Sequence, residues 1–150
     1  MTWWKKLVGA PDGFEKVDYY AEGLALMDQG RFHEALTSFR LALKESSGDP
    51  SVLQQIAISY SRIGMIDEAA KTYRHVLQKD PEAIGAHYGL GFLLVRAGQE
   101  AAAAPHLEAF LNQSVGTPGT REFVEHAEQT LHEIRGRLAV GEDTRDASTA

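Results

Sequence analysis

Histidine is the residue type in this chain that most suggests chemistry, because an imidazole can ligate a metal ion or transfer a proton near neutral pH. A helical metal site needs two histidines on one face, as in the spacing H-E-x-x-H, and no such pair occurs. His126 and His132 are six residues apart, which places them on different faces of a helix. The spacing therefore predicts surface or packing positions for all 6 histidines, which are His33, His75, His87, His106, His126 and His132.

Other sequence signatures of catalysis are missing as well. The sequence has no cysteine, which excludes a thiolate nucleophile, a disulfide and a cysteine zinc site. It also contains no glycine-rich phosphate-binding loop and no nucleophile elbow. We therefore expect no catalytic residue, no metal ion and no cofactor, and we predict that the protein is not an enzyme.

Composition narrows the class of partner. The chain has 150 residues, a formal net charge of −6 and a pI near 5.5. This balance does not indicate the clustered Lys and Arg that bind the nucleic-acid backbone. No apolar run approaches the roughly 20 residues that span a bilayer. The opening residues MTWWKKLVGAPDG lack the apolar core of about 7–15 residues that a signal peptide contains. We expect a cytoplasmic location.

An internal repeat defines the elements that position these residues. Gly30, Gly64 and Gly98 stand 34 residues apart, and small or apolar residues recur in register beside them. Two of these columns are Ala35, Ala69 and Ala103, and Phe39, Tyr73 and Leu107. A fixed period of this length is typical of stacked helical units, which usually bind partners rather than catalyse reactions.

Each repeat is predicted to form two helices joined by a turn. Apolar residues follow three- and four-residue spacings on both sides of each glycine, and glycine suits the left-handed conformation that ends a helix. Aspartate–proline pairs at 49–50 and 80–81 mark joins between repeats, because proline starts a helix well but cannot continue one. Small residues such as Gly23 and Ala57 are predicted to let the paired helices approach closely.

The C-terminal part departs from the repeat. Residues 114–119 have the composition of a loop, and the apolar row from Phe123 to Leu138 predicts one more amphipathic helix that covers the last repeat. The final residues, GEDTRDASTA, have no apolar side chain larger than alanine. We therefore predict that residues 139–150 are disordered.

The segments RFHEALTSFRLAL, MIDEAAKTYRHVLQKDP and QEAAAAPHLEAFL resemble the second helices of tetratricopeptide repeats. This resemblance, over roughly residues 16 to 113, implies an all-α fold: a right-handed α-solenoid of helix–turn–helix repeats with a C-terminal capping helix. The chain then divides into an N-terminal segment 1–15, repeats 16–49, 50–83 and 84–113, a loop 114–119, a capping helix 120–138 and a tail 139–150.

The resemblance also implies a binding groove, because the first helices of tetratricopeptide repeats line a concave side where peptides or partner helices lie. The implied groove has an apolar and aromatic floor, with two arginines one repeat apart along its edge. Its residues are Tyr20, Leu24, Met27, Gln54, Ile58, Arg62, Tyr88, Phe92 and Arg96. Because the planar fork of arginine suits carboxylates, a partner segment with apolar side chains flanked by Asp or Glu would match this groove.

The same residues have a simpler interpretation, which the sequence leaves open. Leu24, Ile58 and Phe92 could pack between neighbouring first helices. Arg62 and Arg96 could be solvated charges that favour the C-terminal end of a helix dipole.

A second candidate surface lies at the N-terminus. Trp3 and Trp4 would share one side of a short helix, with Lys5 and Lys6 on the other. Tryptophan favours the bilayer interface and lysine favours anionic lipid, which predicts a weak membrane-peripheral contact. Two alternatives are that the tryptophans cover the open end of the first repeat, or that the patch is a docking or self-association surface.

The leading functional hypothesis is a non-enzymatic protein–protein interaction adaptor that binds an extended or helical partner segment in the groove. The alternative is a self-assembling or membrane-peripheral scaffold that acts through Trp3, Trp4, Lys5 and Lys6. Neither hypothesis includes a nucleic-acid partner.

Overall fold

The computed structural model describes residues 16–149, so the predicted patch of Trp3, Trp4, Lys5 and Lys6 lies outside the described residues. Within this range the chain forms seven α-helices and no strand. They are α1 (Tyr19–Asp28), α2 (Phe32–Glu45), α3 (Pro50–Ile63), α4 (Ile66–Lys79), α5 (Ile84–Arg96), α6 (Glu100–Gln113) and α7 (Arg121–Ser148). Helices α1 to α6 pack as three successive pairs and α7 packs on α6, which is the predicted all-α repeat arrangement.

The repeated glycines reverse the chain after the first helix of each pair. The φ angles of Gly30, Gly64 and Gly98 are +73°, +92° and +72°, which confirms the predicted left-handed conformation. In each turn the residue after the glycine donates its N–H to a carbonyl of the preceding helix. These hydrogen bonds are Arg31 N to Leu26 O (2.9 Å), Met65 N to Tyr60 O (2.9 Å) and Gln99 N to Leu94 O (2.8 Å).

Small residues set the spacing within the helix pairs. A Cβ placed on Gly23 of α1 would lie 2.5 Å from Cε1 of Phe39 on α2. A Cβ on Gly91 of α5 would lie 2.7 Å from Cδ2 of Leu107 on α6. Phe39 and Leu107 are both fully buried, so neither has free volume into which to retreat. The predicted close approach of paired helices is therefore present.

The capping helix α7 is longer than the sequence predicted. Its Ala127, Leu131 and Ile134 are buried in the core. The predicted end at residue 138 is wrong, because the helix continues to Ser148 and residues 139–148, predicted to be disordered, are helical and exposed. This stretch has no proline, and Gly141 costs a helix only about 1 kcal/mol relative to alanine, so nothing in it stops the helix.

Within residues 16–149, no helix combines the length and the apolar character that a transmembrane segment needs.

Candidate partner-binding groove

A groove of about 550 Å³ lies between α3 and α5, with the start of α7 along one side. Its lining is mostly apolar, and two guanidinium groups lie at its edge. Of the predicted contact residues, the groove brings together Gln54, Ile58, Arg62, Tyr88, Phe92 and Arg96.

The predicted residues of the first repeat are not part of this groove. Tyr20 packs on Phe39, with ring centroids 5.8 Å apart. The Sδ of Met27 accepts a hydrogen bond from the Ser59 hydroxyl at 3.4 Å. Leu24 is exposed on α1 and does not line the cavity. The groove thus starts at the second repeat, and the first repeat contributes packing.

Gln54 forms the boundary between these two regions. It lines the groove and also a smaller cavity of about 380 Å³ that it shares with Tyr20. Its side-chain amide lies directly over Gly85 of α5, where a Cβ would come within 2.7 Å of Gln54 Nε2. The amide therefore fills the space between α3 and α5 that an alanine at position 85 would occupy.

An aromatic cluster forms the α7 side of the groove. Tyr88 is at its centre, with ring centroids 4.6 Å from Phe92, 5.0 Å from Phe110 and 5.2 Å from Phe123. The sequence analysis placed Phe123 in the apolar row of the capping helix, but it is half exposed and faces the groove rather than the core. In the sequence, this exposure is indicated by the position of Phe123 as the first residue of that apolar row.

His126 joins the capping helix to this aromatic cluster. Its ring stacks on Phe92, with centroids 4.2 Å apart and planes 11° from parallel. Its Nδ1 lies 2.9 Å from the hydroxyl of Tyr88, which is hydrogen-bond distance. A surface histidine was predicted, and the residue is indeed exposed, but its contacts with α5 depend on how α7 docks, which the spacing of histidines does not reveal.

Tyr73 of α4 forms the floor beneath α5. A Cβ on Gly89 would lie 2.4 Å from Cζ of Tyr73, so only glycine leaves room for the phenol ring. Burial raises the pKa of Tyr73 to about 12. The repeat columns do not predict this contact, because the column of Gly89 is not small throughout: it holds Ala21 but also Gln55.

The charges around the groove are unevenly distributed. The guanidinium carbon of Arg62 lies 4.7 Å from the centroid of the Phe32 ring, a cation–π contact that orients the side chain. Among the described residues, no carboxylate makes an ion pair with Arg62 or Arg96. Burial and the nearby carboxylate of Glu122 raise the pKa of Tyr88. The arginines are therefore available to an anion.

The closest pair of histidines lies away from the groove. His87 Nδ1 and His106 Nδ1 are 3.1 Å apart, and His87 Nε2 is 2.8 Å from the carbonyl of Pro81. Because that carbonyl can only accept, His87 carries its proton on Nε2 and accepts the Nδ1–H of His106. Burial, His87 and Arg74 together lower the pKa of His106. Among residues 16–149, no group of three or more His, Asp or Glu side chains could hold a metal ion.

Comparison with known families and curated proteins identifies relatives of this chain. The sequence model of the family described as tetratricopeptide repeat matches residues 19–52 and 55–116. The photosystem I assembly protein Ycf3 of Synechococcus sp. (strain CC9605) is 34% identical over 84 residues, which cover 54% of this chain and 49% of that protein. The chain spans about half the length of the curated relatives that it matches.

Solved structures with the same fold include complexes with other proteins or their peptides. The Yersinia enterocolitica type III secretion chaperone SycD, in complex with a peptide of the translocator YopD, has a TM-score of 0.75 at 16% identity, covering 80% of this chain and 92% of that chain. The TPR2B domain of yeast Sti1, in its pHsp70 complex, has a TM-score of 0.71 at 14% identity, covering 79% of this chain and 94% of that chain. These likenesses confirm the predicted helical-repeat fold.

Proposed function

The chain belongs to the tetratricopeptide repeat family, and we propose that it is a non-enzymatic adaptor that holds a segment of a partner protein in the groove between α3 and α5. The segment has apolar side chains flanked by Asp or Glu. This is the class of ligand that an apolar, aromatic groove edged by arginines accepts most favourably.

The observation that carries the proposal is the composition of the groove. Its cavity of about 550 Å³ exposes aromatic side chains from two separate helices, α5 and α7. Tyr88 is only partly buried and Phe123 is half exposed, although each has a large apolar surface. Rigid aromatic side chains make large contacts at a low cost in conformational entropy, which is why they dominate protein-binding sites.

The arginines give the partner segment a direction. Arg62 and Arg96 lie in the last turns of α3 and α5, and Phe123 lies at the start of α7. Acidic residues of the partner therefore lie next to the two arginines, and its apolar side chains extend towards Phe123.

The relatives support a holding or assembly role. SycD is a chaperone solved with a peptide of another protein, and Ycf3 is named for the assembly of photosystem I. Both names describe proteins that act on other proteins. We extend only this class of activity to the present chain, since half of Ycf3 lies outside the match and SycD shares only its fold.

The proposal is tested by selecting random peptides, displayed on phage, for binding to the full chain. We expect enriched peptides to combine aromatic or aliphatic residues with Asp or Glu. In the double variant Arg62→Glu/Arg96→Glu, two exposed ion pairs of up to about 1 kcal/mol each are replaced by repulsion, so affinity should fall by about tenfold to a hundredfold.

The matched control is Lys44→Glu/Lys79→Glu, which changes the net charge equally at exposed positions that do not line the groove. It should bind the selected peptides nearly as well as the wild type. Peptides without acidic residues, or equal binding by the Arg62→Glu/Arg96→Glu variant, would contradict the proposal.

A further inference from the structure

A second cavity, of about 620 Å³, lies on the opposite side of α3 from the groove. Its walls are α2 and α4, and its floor is the face of α3 that carries Leu53, Ile56 and Tyr60. We call it the outer cleft. It shares no lining residue with the groove, because α3 turns Gln54, Ile58 and Ser61 towards the groove.

The outer cleft concentrates positive charge in a protein whose net charge is −6. Arg40 lies on the α2 wall, and Lys71, Arg74 and His75 lie on the α4 wall, with Glu68 as the one carboxylate of the lining. Elsewhere in the described chain, exposed arginines commonly pair with glutamate, as Arg31, Arg121, Arg135 and Arg137 do. Among the described residues, no carboxylate pairs with the three permanent cations of the cleft, which are Arg40, Lys71 and Arg74.

The Arg40 side chain is held in place before any ligand arrives. Its Nη2 donates a hydrogen bond to the Tyr60 hydroxyl at 2.6 Å, and its guanidinium carbon lies 5.7 Å from the centroid of the Tyr60 ring. A guanidinium oriented in this way loses less conformational entropy when it pairs with a carboxylate. Arg40 as a whole is exposed and lines the cleft.

The two walls of the outer cleft both present cations, with Arg40 on α2 and Lys71 and Arg74 on α4. The surface between them is apolar: Leu53 and Ile56 are buried beneath it, and Leu43 and Tyr60 are partly exposed. A small inorganic anion would leave this apolar floor uncovered.

We propose that the outer cleft is a second docking site, for an acidic segment of a partner protein whose apolar side chain covers the α3 floor while its carboxylates pair with Arg40, Lys71 and Arg74. The cleft is open along its outer side, which suits a polypeptide better than an enclosed small molecule. The site goes beyond the proposed groove function, and the chain would then hold two segments at once, one on each side of α3.

The probe is the peptide acetyl-Glu-Leu-Glu-Glu-Leu-Glu-amide, titrated into the full ¹⁵N-labelled chain and followed by NMR. We expect shift changes at Tyr60, Thr72 and Gln78, which line the cleft. The triple variant Arg40→Gln/Lys71→Gln/Arg74→Gln should bind the peptide about tenfold or more weakly, because three ion pairs are lost. All three positions are exposed, so the variant should keep the wild-type circular dichroism spectrum.

Two controls separate specific docking from general charge attraction. The variant Lys44→Gln/Lys79→Gln/Arg145→Gln loses the same charge at exposed positions outside the cleft, and it should bind like the wild type. The variant Arg62→Glu/Arg96→Glu should lose any shift changes in the groove but keep those at Tyr60, Thr72 and Gln78, so failure of the groove proposal and failure of the cleft proposal are distinguishable.

Three results would overturn the cleft proposal. One is equal binding of the peptide in which glutamine replaces every glutamate. Another is a set of shift changes confined to the groove. The third is that inorganic phosphate, at the same concentration of negative charge as the peptide, produces the same shift changes and displaces the peptide. The cleft would then be a site for small anions.

Discussion

Substitution of Gly23 by alanine tests how closely the paired helices are packed. In an open helix the change from glycine to alanine stabilises by about 1 kcal/mol, because alanine loses less backbone entropy on folding. At position 23 the new Cβ would lie 2.5, 2.6 and 2.8 Å from three ring carbons of Phe39, which is fully buried. Overpacking a core of this kind costs about 1–3 kcal/mol. After subtraction of the gain of about 1 kcal/mol, we expect a net loss of up to about 2 kcal/mol.

The matched control is Gly136→Ala in α7, where a new Cβ would meet nothing within 4 Å. The same chemical change there should stabilise the protein by up to about 1 kcal/mol. Urea unfolding of both variants gives the two free energies, and thermal melting should shift by about 2–4 °C per kcal/mol, in opposite directions. Combining Gly23→Ala with Phe39→Leu should relieve the steric cost. Equal stabilisation by Gly23→Ala and Gly136→Ala would refute the packing argument.

Three further predictions concern the groove, the histidine pair and the N-terminus. Phe123→Ala should weaken binding of the selected peptides about tenfold or more but change the free energy of unfolding by about 1 kcal/mol or less, because the ring is 47% exposed. Isothermal titration calorimetry measures the affinity and urea unfolding measures the stability. Unchanged affinity would count against the α7 side of the groove. The lowered pKa of His106 favours its neutral form in the folded state, so its contribution to stability is present above the unfolded pKa near 6.5 and is lost as pH falls. His106→Gln should therefore flatten the decline in unfolding free energy between about pH 7.5 and pH 5.5. An equally steep decline in the variant would contradict this. If Trp3 and Trp4 form a membrane surface, deleting residues 1–10 should abolish flotation with anionic liposomes. If they form a self-association surface, the deletion should lower the mass measured by light scattering. Identical behaviour of the full and the shortened chain in both assays would contradict the scaffold hypothesis.

The repeat period was enough to predict the fold. Glycines at a fixed spacing marked the turns, and small residues beside them marked the close helix contacts, because both needs are local and recur in every copy. Gly64 and Gly23 illustrate the two cases: one has a φ of +92°, and the other leaves room for a buried ring.

The groove was predicted only in part, because the copies of the repeat differ there. Ile58, Tyr88 and Phe92 follow from the resemblance to tetratricopeptide repeats, whose first helices line the groove. Phe123 and His126 do not, since they come from a helix outside the repeat whose docking angle depends on tertiary packing. The contact of Tyr73 with Gly89 was not predicted either, because the column of position 89 holds Ala21 and Gly89 but also the large Gln55.

The end of α7 shows where composition alone misleads. Residues 139–148 have few apolar side chains, which favours disorder, but they contain no proline, and Gly141 does not adopt the left-handed conformation that ends a helix. A helix already stabilised by the burial of Leu131 and Ile134 continues at little cost, because propagation is easier than nucleation.

The most direct test of the central claim is to map where a selected acidic, apolar peptide binds on the full ¹⁵N- and ¹³C-labelled chain by NMR. Binding in the groove predicts the largest shift changes and intermolecular contacts at Ile58, Tyr88, Phe92 and Phe123, with the peptide's carboxylates next to Arg62 and Arg96. Contacts confined to α1, or to the outer surfaces of α2 and α4, would contradict the claim that this groove is where the protein holds its partner.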